Sequence, residues 1–151
     1  MLTPRILLAP LFLLMVFPSC GVKQPPFTKK EPKTADLVGS WTPDASTINI
    51  MQQKGGYNSS IPTRLNLRED GTFELSNMPD WWNNGEGRSA QNYDQYSGKW
   101  TIIKDEPDRW MLTLYSTKGI RPVDLLGEGP YRLFFVIGDP DNNLTMTFNK
   151  E

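Results

Sequence analysis

The chain contains no histidine and a single cysteine. Lacking histidine, it has neither the commonest general base nor the commonest metal ligand. One cysteine excludes an internal disulfide and any cysteine-rich zinc site. Small exported domains often depend on disulfides, so a folded domain here must hold together through its core. Neither sign of charge dominates: 16 basic residues stand against 17 acidic, for a formal charge of −1. Nothing in that balance calls for nucleic acid as a partner. Gly-x-Ser-x-Gly and phosphate-loop motifs are absent. No catalytic residue, cofactor or metal site is expected, and the chain reads as a non-enzyme. Long hydrophobic runs are lacking too. The apolar stretch at residues 6–17 covers 12 positions and is interrupted by Pro10, whereas a membrane-spanning helix needs roughly 17–25.

That stretch has the length of a signal-peptide core, with Arg5 as its positive flank. It ends at Phe17-Pro18-Ser19-Cys20-Gly21, which holds the chain's one cysteine. A small residue before Cys, with an apolar residue two positions further upstream, resembles the processing site of bacterial lipoprotein precursors. The resemblance implies cleavage before Cys20, a diacylglyceryl group on its thiol and a fatty acyl chain such as palmitate on its amine. With Gly21 in place of Asp, it further implies the outer membrane, with the chain in the cell envelope or periplasm. Several acyl chains, each burying methylenes worth about 0.8 kcal/mol apiece, make a stable anchor. An ordinary signal peptide cut near Ser19 is the alternative.

Residues 21–35 carry three prolines and four lysines, with Phe27 as the lone large apolar side chain. Such a stretch buries too little apolar surface to offset its ordering entropy and reads as a flexible spacer. The expected organisation is a lipoprotein signal peptide at 1–19, lipidated Cys20 with a linker to residue 35, and one folded domain at 36–151.

Within that domain, apolar and polar residues alternate with the period of half-buried strands. Leu65 and Leu67 lead to Asp70-Gly71, suited to a type I′ hairpin turn, and Phe73 and Leu75 return. Tyr96, Gly98, Trp100 and Ile102 share one face, followed by Trp110, Leu112 and Leu114. A Gly- and Pro-containing connection leads to Leu133, Phe135 and Ile137, and the acidic turn at 139–143 to Leu144, Met146 and Phe148. Residues 37–42 form a first strand, and residues 47–52 are either a strand or a helical turn. Seven or eight short sequential strands predict an all-β fold, a small antiparallel meander barrel that removes exposed edges. A β-sandwich is the alternative.

Two Gly-x-Trp units, Gly39-Ser40-Trp41 and Gly98-Lys99-Trp100, accompany the run from Leu65 to Phe73. Together they resemble the bacterial lipocalin-like lipoproteins. The resemblance implies a lipocalin-like barrel over residues 36–151, with Trp41 plugging one end and a small apolar ligand in or at the barrel mouth. Independently of the family, large rings on an inward face would fill the narrow end of a small barrel.

The segment 78–96 is polar and long for a connection, yet it carries Trp81, Trp82, Tyr93 and Tyr96. Long loops with large side chains of their own are often functional. These four aromatics are the candidate ligand-binding residues, for a small hydrophobic ligand or a glycan. Folding back over the core as a lid is their other reading. A membrane, through the lipid on Cys20, is the remaining expected partner. An envelope interaction module that binds a protein or glycan through its surface is the alternative function.

Overall fold

The structure is a computed structural model and describes residues 26–84, 86–105 and 108–151. Cys20 and the leader lie outside the described residues. Eight antiparallel strands follow one another around a closed barrel: β1 (Gly39–Pro43), β2 (Arg64–Leu67), β3 (Thr72–Pro79), β4 (Tyr93–Asp105), β5 (Arg109–Ser116), β6 (Gly119–Leu126), β7 (Arg132–Val136) and β8 (Thr145–Lys150). The barrel closes where Trp41, Thr42 and Pro43 of β1 pair with Lys150, Asn149 and Phe148 of β8. Among the described residues two α-helices accompany it, α1 (Thr34–Leu37) and α2 (Ala45–Gly55).

The inward rows are those that the alternation marks. Leu65, Phe73, Leu75, Leu112, Leu114, Leu133, Phe135 and Phe148 are each at most 1% exposed. With Trp41, these side chains fill the barrel axis. Phe135 and Phe148 meet with ring centroids 4.6 Å apart. Burying that much apolar surface, at about 25 cal/mol per Å², is what lets the chain fold with no disulfide.

Three details differ from expectation. The first concerns the eighth strand. Residues 47–52 belong to α2, which Asp44 caps by accepting a hydrogen bond from Thr47 N at 2.7 Å, and which Gly56 ends at a φ of 68°. An oxygen cap before the helix and a left-handed glycine after it are ordinary helix stops. The extra strand is β6, which includes Pro122, Arg121 and Asp124 and so hides its alternation.

The second is the β2–β3 turn. Gly71 has a φ of 78°, but Asp70 is not among the residues of positive φ. Gly71 N donates to Arg68 O at 3.1 Å and Arg68 N to Thr72 O at 2.9 Å. This is a type I turn followed by a left-handed glycine, not type I′. Asp70 turns its carboxylate to the N–H and hydroxyl of Thr72 instead.

The third is the linker, whose expected boundary at residue 36 is too late. Thr28 is wholly buried: its N–H donates to Leu125 O and its carbonyl accepts from Trp110 N, both at 2.9 Å, while Oγ1 donates to Gly127 O at 2.6 Å. Pro32 is buried as well. This strap replaces missing strand pairing where β5 and β6 part beyond Met111 and Asp124. Backbone pairing and the burial of Thr28 and Pro32, not a row of large apolar side chains, order it, which is why composition does not reveal it.

Successive strands run in opposite directions, so the strap, α1 and the β2–β3 turn gather at one end. Trp41 and Trp100 are buried beside them, each donating its indole N–H to a carbonyl there: Leu37 O at 2.9 Å and Arg68 O at 3.0 Å. The opposite end, capped by α2 and the β3–β4 connection, is the mouth.

Candidate functional site

A bulge in β3 shapes the mouth. Pairing with β4 shifts register between Leu75 and Met78, and Asn77 sits at a φ of 53°, which asparagine tolerates. The extra residue puts Leu75 and Met78 both inward although they are an odd number apart, and both are fully buried. It therefore aims the following 3-10 turn, Asp80–Trp82, back over the core.

The four candidate aromatics lie there in two clusters. Trp82 packs edge-on against Tyr96 at 5.2 Å and Phe135 at 5.5 Å. Trp81 and Tyr93 meet through a residue that sequence reasoning did not single out: Tyr57 lies 5.0 Å from Trp81 and 5.5 Å from Tyr93. Trp81, Trp82 and Tyr96 are 1%, 8% and 4% exposed, and Tyr93 is half-buried. They plug the mouth from within. Tyr57 reaches across it, donating to Asp80 and accepting from Trp81 N. Burial pushes the Tyr57 and Tyr96 hydroxyls above the usual tyrosine range, and Asp80 and Asp94 beside them push the same way.

Outside the plug, α2 and residues 59–63 border a cleft of about 200 Å³. Its walls are largely apolar: Ile48, Met51, Tyr57, Ile61 and Pro62. Ile48 stays 39% exposed at its rim.

A second cleft, of about 360 Å³, lies where β6 and β7 part. These strands pair only from Asp124 with Phe134 to Leu126 with Arg132. Pro122, two residues before Asp124, pairs with Thr113 on β5. Its nitrogen carries no hydrogen, so β7 has no donor to pair with at that point and diverges. Trp82, Arg121, Asp124, Met111, Phe134 and Val136 line the resulting slit. Asp124 is only 8% exposed, and Arg109 Nη2 lies 3.1 Å from its Oδ1. That contact is an ion pair not aligned as a hydrogen bond, and among the described residues the Nε atoms of Arg109 and Arg121 have no hydrogen-bond acceptor. Burial holds the Asp124 carboxyl above the usual aspartate range; Arg109 opposes the shift and Asp105 adds to it.

Sequence reasoning did not single out Arg109, Arg121 or Asp124. A signal existed: Asp124 is the one charged residue in Val123-Asp124-Leu125-Leu126. In the acidic turn, Asp139 accepts from Asp141 N at 2.9 Å, which makes it a local cap.

The chain is an all-β protein, an eight-stranded antiparallel meander barrel of the small lipocalin-like kind with a filled axis. No family model, curated protein or solved structure matches it.

Proposed function

We propose that this chain is a non-catalytic lipoprotein of the bacterial cell envelope, held by acyl chains on Cys20 at the outer membrane, that binds a small apolar group at the mouth of its barrel. The cleft between α2 and residues 59–63 carries this reading, because its walls are apolar and it lies beside the aromatic plug. An apolar cavity of about 150 Å³ suffices for a benzene ring. The 200 Å³ cleft therefore suits a ring or the end of an acyl chain rather than a whole lipid. The filled axis turns the reading away from a ligand deep inside the barrel.

The strap gives the arrangement a direction. Cys20 precedes Pro26 by six residues, a reach of about 20 Å when extended. The strap end would then face the bilayer and the mouth would face away. The alternative is an interaction module for a protein or glycan, favoured by the same filled axis.

Two measurements test the proposal. Cys20→Ser should move the protein from the membrane pellet to the soluble fraction; retention in the pellet would overturn the anchor. A fluorescent apolar probe should bind the extracted full-length protein saturably and lose at least about tenfold in affinity on Ile48→Glu, which puts a charge at the rim. Unchanged binding in that variant would remove the mouth from the proposal.

A further inference from the structure

Strand β6 parts from a neighbour twice. Toward the strap end it leaves β5 beyond Met111 and Asp124. The strap fills that gap by bonding to both strands: Thr28 N–H donates to Leu125 O, and Trp110 N–H donates to Thr28 O. Toward the mouth β6 leaves β7 beyond Asp124 and Phe134, and among the described residues no strand or strap pairs in that gap. In an antiparallel ladder, successive residues turn their N–H and C=O groups to opposite sides. Leu125 turns to the strap on the β5 side, so Pro122 and Ile120 turn toward β7. Ile137 N–H donates to Leu144 O on the β8 side, so Val136 turns toward β6. Two strand edges with open main-chain groups therefore bound the slit. Val136 offers an N–H and a carbonyl from β7. Ile120 offers the same from β6, and Pro122 a carbonyl alone.

The side chains around these edges are sorted by face. Arg121, opposite the core residue Leu114, stands on the inward face with Trp82. Met111 and Phe134 flank Asp124 on the outward face. All five line the slit together with Trp82. The Arg121 guanidinium bonds to the neutral Asn83 side chain. Among the described residues no carboxylate lies within ion-pair distance of it, and its buried Nε has no acceptor. Asp124 is already held by Arg109 on the outward face.

We propose that the slit receives an extended peptide segment of a partner protein as an added strand along the open edge of β7. The strap shows the same device at the other end of β6. A strand turns successive side chains to opposite faces. One laid here sends an acidic side chain inward to Arg121 and apolar side chains outward against Met111 and Phe134. Main-chain bonds supply affinity in such additions, and the alternating side chains supply specificity.

The test uses the full-length, detergent-extracted protein and the peptide acetyl-Thr-Val-Glu-Val-Thr-amide, followed by equilibrium dialysis and amide hydrogen exchange. The peptide should bind saturably and slow exchange at Val136 and Ile120 by about tenfold or more, while Leu133 and Leu114, already within paired strands, stay unchanged. Methylating the peptide's backbone nitrogens keeps its side chains and removes its donors, and should weaken binding about tenfold or more. Replacing its Glu by Gln should cost about tenfold, the size of a hydrogen bond to a charged group. Arg121→Gln should erase that Glu preference and keep the protection at Val136 and Ile120. If that variant does not fold, the methylated peptide decides the matter on the unmodified protein. No saturation by about 10 mM peptide, equal binding of the methylated form, or protection that bypasses Val136 and Ile120 overturns the proposal. Ile48→Glu should leave peptide binding unchanged, so failure here is distinguishable from failure at the mouth.

Discussion

The hydroxyl of Tyr57 donates to Asp80 Oδ1 at 2.5 Å and accepts from the backbone N–H of Trp81 at 3.1 Å. One oxygen thereby joins the segment after α2 to the turn that carries the aromatic plug. The raised Tyr57 pKa keeps that oxygen protonated and able to donate across the physiological range.

Tyr57→Phe keeps the ring contacts with Trp81 and Tyr93 and removes both bonds. It leaves the Asp80 carboxylate and the buried Trp81 N–H short of a partner. Urea unfolding should show a loss of about 2 kcal/mol, and amide exchange at Trp81 should rise. A variant as stable as the parent would mean that packing alone holds the plug.

A methyl group at Gly98 would stand 1.9 Å from the backbone carbonyl oxygen of Tyr115. That oxygen belongs to β5, paired along its length with β4, and cannot step aside without parting the strands. Gly98→Ala should therefore cost about 3 kcal/mol or more, read as a large fall in thermal midpoint or as insoluble protein. A midpoint within a degree or two of the parent would contradict the register of these strands.

Asp124 should make stability depend on pH in a direction opposite to most carboxylates. Its pKa is raised in the folded chain. Between the ordinary aspartate value, about 3.9, and the raised one, the folded chain keeps a proton that the unfolded chain has lost. Its contribution therefore declines as pH rises through that window and levels off above it. Asp70 acts the other way: Thr72 holds its pKa below the usual value, so its contribution is lost as pH falls. Comparing the parent with Asp124→Asn isolates Asp124. The parent's stability relative to the variant should fall as pH rises from about 4, and a flat difference would remove the assignment.

The strap bears on proteolysis. Lys29, Lys30 and Lys33 have exposed side chains, but their backbone runs alongside Thr28 and the buried Pro32. Trypsin should leave all three intact while the barrel is folded and cut them only when urea unfolds the whole domain. Early cleavage at Lys29 or Lys30 would return residues 26–33 to the status of a free spacer.

The alternation of Leu65-x-Leu67, Phe73-x-Leu75, Leu112-x-Leu114 and Leu133-x-Phe135 was enough to specify a short-stranded meander and most of its inward row, because a strand exposes alternate residues to opposite faces. The same reading singled out Trp81, Trp82, Tyr93 and Tyr96 as unusual for a polar connection. It left open whether they faced solvent or the core. That depended on the bulge at Asn77, a change of register set by pairing with a strand some twenty residues away.

What the amino-acid order settled alone is whatever depends on near neighbours: strand periodicity, the turn at Gly71, the core-like composition of the inward rows. Folding had to decide the rest. Pro122 reads as a strand breaker until β5 takes it as a partner and β7 diverges beside it. Thr28 reads as spacer until two carbonyls and an N–H of the barrel reach it. Arg121 and Asp124, on opposite faces of β6, border one slit only because the wall parts there. Each of these depends on contacts between residues distant in the chain, whose energies no local pattern of side chains records.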